Sequence, residues 1–218
     1  MSQQTLSVLR SRLDAKVSAI TEMIKHDIYD NIIVSTVRDW FEGNGSIITL
    51  NNNINKNVSD RWPFLQKKIK EQLLEFEEET KTALQNADSL KSQQLDVQAI
   101  SEAVSQSISL AVGAIGTSFL AMLSGGAGLA LISGGPVGWV IGGIIGAFAF
   151  LLGKTKIEQE VGKVIADKKI PSLIKKPAKG KVATQLKLNE SKFEQEIHDL
   201  LREQLKPIYE ALNHGFQQ

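Results

Sequence analysis

Between Glu102 and Lys154 the chain carries no Asp, Glu, Lys, Arg or His, so Ala103 to Gly153 is a run of 51 residues without a titratable side chain. A solvated surface of that length would place charge at its water-facing positions, which directs this stretch to lipid or to a deep interior. Ile108 to Ile132 supplies 25 apolar or small residues. As a helix these reach about 37 Å, enough to cross a hydrocarbon core of about 30 Å. Ser133-Gly134-Gly135-Pro136 is a strong breaker, because glycine tolerates positive φ and proline lacks the donor a continuing helix needs. The second arm, Val137 to Leu152, has 16 residues. It reaches only about 24 Å, so a shallow, partly inserted hairpin suits the lengths as well as two full crossings. The segment 103–153 is therefore expected to be a hydrophobic helical hairpin.

Glycine placement sharpens this expectation. Gly134, Gly138, Gly142 and Gly146 recur at every fourth residue and line one side of the second arm. In lipid, apolar burial does not drive helices together, and close packing over small residues of this kind holds them instead. Gly113, Gly116, Gly125 and Gly128 thin the first arm in the same way. The side chains expected to enter a bilayer are Leu110, Ile115, Phe119, Leu120, Leu129 and Leu131 on the first arm. On the second they are Val137, Trp139, Ile141, Ile145, Phe148, Phe150 and Leu151. The competing expectation is a soluble helical protein in which the hairpin is simply core.

The flanks read as amphipathic helix, and the pattern divides the 218-residue chain into four segments. In 1–58, Leu6, Leu9, Leu13, Val17, Ile20, Ile24 and Ile28 repeat at three- and four-residue spacings, and Ile32, Ile33, Val37, Trp40 and Phe41 continue that face to Gly43-Asn44-Gly45. Ser46 to Asn57 holds five asparagines in the seven residues from Asn51 and reads as a connector. In 59–102, Ser59 or Asp60 is a cap candidate with Pro63 near the first turn, and Phe64, Leu65, Ile69, Leu73, Phe76, Thr80 and Leu84 open the stripe of a long stalk helix. The last segment, 154–218, starts lysine-rich. Lys154 to Lys187 contains ten lysines against three carboxylates, a local net charge of +7. Lys154, Lys156, Lys163, Lys168 and Lys169 lie directly beyond the apolar run, where they suit the headgroups of an anionic leaflet and hold that end on the cytoplasmic side. Pro171, Pro177 and Gly180 mark Pro171 to Lys181 as a linker. A final helix, opening at Asn189 or Ser191, runs through Phe193, Ile197, Leu201, Leu205, Ile208 and Leu212, with Pro207 expected to kink or divide it. The fold class expected is all-α, an elongated bundle of long amphipathic helices around the hairpin.

Catalytic signals are weak, and the chain is not expected to be an enzyme. Gly153-Lys154-Thr155 resembles the end of a phosphate-binding loop, but the glycine required earlier falls at Phe148 and no strand precedes it. His26, His198 and His214 stand on separate segments without metal-ligand spacing, and there is no cysteine. No cofactor or metal is expected. Met1 to Met23 is too charged for a secretory signal. The lysine run lacks interleaved aromatics and base-reading arginines, so nucleic acid is not an expected partner. The expected partner is lipid, anionic by preference.

The order long helix, then GGPVGWVIGGIIGAFAFLLGK in an apolar block, then a lysine-rich helix resembles the C-terminal helical stalk and membrane-tip region of bacterial dynamin-like GTPases. The likeness covers roughly Gln72 to Asp167. It implies a stalk that carries an apolar membrane tip. The GTPase domain is absent, so the resemblance implies a stalk-and-tip unit or a companion subunit without GTP hydrolysis. A weaker likeness is to α-helical pore-forming toxins, which sheathe a charge-free hairpin in amphipathic helices and release it at a membrane. That likeness implies a secreted or target-membrane protein. Either resemblance implies homo-oligomers, or hetero-oligomers with a GTPase or toxin subunit.

Overall fold

The structure is a computed structural model that describes residues 3–88, 97–124, 139–144 and 175–214. The fold is all-α: among the described residues every element is helical and no strand forms. The elements are α1 (Gln3–Ile24), a π-helix (Lys25–Val34), α2 (Ser35–Glu42), α3 (Ile47–Asp88), α4 (Val97–Ser124), a helical turn at 139–144, a 3-10 turn (Lys176–Ala178), α5 (Lys179–Gln204) and α6 (Lys206–His214). The chain forms two compact units.

The first unit comprises Met1–Met23, Pro63–Ser118 and Glu196–Gln218. The α1 stripe Leu6, Leu9, Leu13, Val17 and Ile20 is fully buried, as are Leu65, Ile69, Leu73, Phe76 and Leu84 of α3. Polar pairs at the edges of this core fix helix direction. Arg12 meets Glu79 at 3.2 Å and Lys16 meets Glu75 at 2.6 Å, so α1 and α3 run antiparallel. Asp14 accepts from Tyr209 Oη at 2.7 Å and from Arg202 at 2.6 Å. Burial alone would raise the Asp14 pKa, but the Tyr209 and Arg202 hydrogen bonds outweigh it and hold the carboxyl below its ordinary value. As expected, Pro207 divides the terminal helix: Leu205 forms a turn between α5 and α6.

The second unit comprises Ile24–Trp62 and Phe119–Gln195. Tyr29 of the π-helix donates to the Leu186 carbonyl and lies 5.2 Å, ring to ring, from Phe193. Lys25 pairs with Glu190 at 3.1 Å and Lys179 with Glu42 at 2.6 Å, which sets α5 antiparallel to the π-helix and α2. Asp27 receives two bonds from Arg61, at 2.7 and 3.1 Å. Trp62 stacks on Phe119 with centroids 4.2 Å apart.

Two sequence expectations are corrected. The asparagine run is not a connector, because α3 starts at Ile47 and carries Pro63 in its interior. Ile47, Leu50, Ile54 and Val58 keep helical spacing and are buried. Each such burial contributes about 1.5–3 kcal/mol, whereas an asparagine costs at most about 0.7 kcal/mol of helix propensity, so packing wins. Pro63 lies on the exposed side of the helix, where the Ser59 carbonyl deprived of its donor faces water. The second correction concerns 175–188, which is helical rather than linker, so the last long helix opens before Asn189 and Ser191. Here too a buried stripe, Ala178, Val182, Asn189 and Phe193, runs back through the lysine-rich sequence.

The cap of α3 is Ser46, whose Oγ accepts from the Thr49 amide at 3.1 Å, while its carbonyl accepts from Trp40 Nε1 at 2.9 Å. A Cβ at Gly45 would sit 3.2 Å from the Trp40 ring, which explains a glycine in this turn. Ser46→Ala removes only the side-chain acceptor and is expected to cost about 1 kcal/mol, read from the urea midpoint at unchanged m-value.

Candidate functional site

The hairpin is described in two pieces, the part of α4 from Ala103 to Ser124 and the turn at 139–144. Along α4, Ile100, Val104, Ile108, Ala111, Ile115 and Phe119 recur at three- and four-residue spacings and are buried. The opposite face exposes Ser109, Leu110, Gly113, Thr117 and Ala121, and none of these can carry charge. Leu110 is 76% exposed. Thr117 turns its hydroxyl onto the Gly113 carbonyl at 2.9 Å, so even this polar side chain is satisfied within its own helix. The contrast with α3 is sharp, since that helix exposes Lys67, Lys68, Lys70, Glu75 and Glu78 to water.

The helix before the hairpin contributes one carboxylate at this boundary. Glu77 of α3 is buried to 7% exposure. Its hydrogen bond with Lys81 outweighs burial and, helped by Ser105 of α4, holds its carboxyl below the ordinary range. That Ser105 contact lies at the start of the charge-free stretch.

In the turn at 139–144, Val140, Ile141 and Ile144 are buried and Trp139 is half-buried. The Lys192 ammonium stands 3.6 Å above the Trp139 ring, a cation–π contact that shields the indole from water. A Cβ at Gly142 meets no described atom within 4 Å, whereas one at Gly143 would come within 2.7 Å of Gln185 Cγ. Among the described residues the close approach is therefore at Gly143, one position beyond the four-residue glycine series.

The structure thus buries Ile115, Phe119 and Ile141, half-buries Trp139 and leaves Leu110 open. Leu120 lies in α4, but its side chain is outside the described set. Leu129, Leu131, Val137, Ile145, Phe148, Phe150, Leu151, Gly134, Gly138, Gly146, Lys154, Lys156, Lys163, Lys168 and Lys169 also lie outside the described residues. Among those described, no helix is long and apolar enough to cross a membrane.

One lysine of the basic run behaves unlike a solvated cation. Lys175 has no exposed surface. Its ammonium donates to the Trp40 and Gly43 carbonyls at 2.5 and 3.0 Å and lies 3.6 Å over the Trp40 ring. It therefore satisfies carbonyls at the C-terminal end of α2 that have no partner within that helix. Burial pushes its pKa down to about 8. The signal was present in the sequence, because Phe193, Asn189, Val182 and Ala178 continue in helical steps to position 175. No family model, curated protein or solved structure matches this chain.

Proposed function

We propose that the chain is a membrane-binding protein whose charge-free hairpin, 103–153, enters the bilayer, acting as a dynamin-like stalk and tip or as a companion subunit. The observation that carries this reading is the exposed face of α4: Leu110 stands open to water among uncharged neighbours, while the opposite face is buried. A helix apolar or neutral all round meets no solvation cost on entering lipid, and the surface it transfers is worth about 25 cal/mol per Å². The burial of Ile115, Phe119 and Ile141 and the Lys192 cover on Trp139 support a sheathed state in water. In this reading Lys154, Lys156, Lys163, Lys168 and Lys169 stay with anionic headgroups on the cytoplasmic side of the membrane. The protein performs no catalysis of its own, and self-association or a GTPase subunit supplies its assembly.

Flotation of the purified chain on anionic and neutral vesicles loaded with a fluorescent dye tests this. The expected result is flotation, stronger on anionic vesicles, with the dye retained. Rapid dye release would transfer the protein to the pore-forming class. Absence from both vesicle fractions would make the hairpin a core element and end the membrane reading.

A further inference from the structure

Antiparallel packing of α5 on the π-helix and α2 leaves a cavity of about 300 Å³ within the second unit. Its buried lining is apolar, with Val37, Phe41 and Val182 at 4% exposure or less. Its mouth is charged. Lys179 is held by Glu42 at 2.6 Å, and Glu190 by Lys25 at 3.1 Å. Arg38 and Lys187 are exposed and make no hydrogen bond or ion pair with a described residue. Arg38 lies two turns along from Asp30, the remaining carboxylate of the lining, so the excess positive charge gathers at the Arg38 end. One wall is the ten-residue π-helix. Helices of that kind are rare and concentrate at functional sites, because their looser winding must be offset by what it positions.

We infer that this cavity binds one single-chain anionic amphiphile, with its acyl tail against Val37, Phe41 and Val182 and its carboxylate or phosphate head on Arg38. The volume stands at the low end of small-molecule sites, which run from about 300 to 1,000 Å³, and suits one chain rather than a two-chain phospholipid. A planar guanidinium with free donors is the side chain best matched to a carboxylate or phosphate. The site uses no residue of 103–153, so it stands independently of the hairpin's entry into membranes.

The test is calorimetric titration of the whole chain with dodecanoate and with lysophosphatidate, each below its micelle concentration, with dodecyltrimethylammonium as the charge-reversed probe. Saturable binding of an anion at one per chain is expected. Arg38→Ala should weaken it by about tenfold or more, the loss of a charged hydrogen bond. Ala183→Trp, at an exposed lining position that leaves the core untouched, should abolish it while helical circular dichroism and vesicle flotation stay as in wild type. Tighter binding of lysophosphatidate identifies a phosphate head, and tighter binding of dodecanoate a carboxylate. The inference is overturned if neither anion binds, if the ammonium binds as tightly, or if folded Ala183→Trp binds as wild type does.

Discussion

Leu110→Asp is expected to cut vesicle partitioning about 100-fold, because aspartate in place of leucine at a bilayer centre costs about 3 kcal/mol and each 1.4 kcal/mol is tenfold. The same substitution should hardly change folding. Leu110 is 76% exposed. A surface change is worth about 0.5 kcal/mol or less, and for a chain of this size that moves the melting temperature by about 2 °C at most. This separation makes position 110 more informative than Ile115, which is 1% exposed. An aspartate at Ile115 would destroy the fold in water before any membrane was met. Flotation of the two proteins side by side, with melting curves, is the measurement. If Leu110→Asp floats like wild type, the neutral face of α4 is not the lipid contact.

The second large effect is expected at Lys175. Lys175→Ala leaves the Trp40 and Gly43 carbonyls buried without a donor and opens a void over the Trp40 ring. An orphaned carbonyl costs about 1–3 kcal/mol, so the loss should be about 3 kcal/mol, a melting temperature lower by roughly 6–12 °C. Lys175→Met, which restores most of the volume but no donor, should recover only part of it. The pH dependence separates the opposing contributions. With a folded pKa of about 8 against an ordinary 10.5, the folded chain binds fewer protons than the unfolded chain between those values. Folding therefore gains from this group as pH rises from about 8 towards 10.5, and the gap between wild type and Lys175→Met should widen over that range. A gap that stays flat would mean that the carbonyls and the indole ring hold the charged amine as well as water does. Urea titrations of both proteins at pH 7 and pH 9.5 would decide it.

Helix content was legible residue by residue, because period is a property of the sequence. Leu6 through Ile20 and Phe193 through Leu212 fall on the core face that their spacing predicts. The asparagine run misled for a physical reason: composition spoke for a turn, while Ile47, Leu50, Ile54 and Val58 kept the helical beat beneath it. Lys175 misled because its type spoke for solvent while its position on the Ala178 and Val182 stripe spoke for the core. Of the candidate site, the uncharged character of α4 was legible, and so was the burial of an apolar face. Contacts that depend on which neighbour arrives were not legible, among them Lys192 over Trp139, Trp62 on Phe119 and the near approach at Gly143 rather than Gly142.

The π-helix sets a constraint on chain length as well as on packing. Its buried residues Ile28 and Ile33 lie five apart, which an ordinary helix would place on diverging faces. Losing one residue between them would return the segment to ordinary winding and turn everything that follows by about 100°. Trp40 would then face away from Lys175, and Arg38 would leave the mouth of the cavity. Asp30, Asn31 and Ile32 therefore form a counting element, whose number matters more than their identity. Inserted or deleted residues should be tolerated in the Gly43–Ser46 turn long before they are tolerated here.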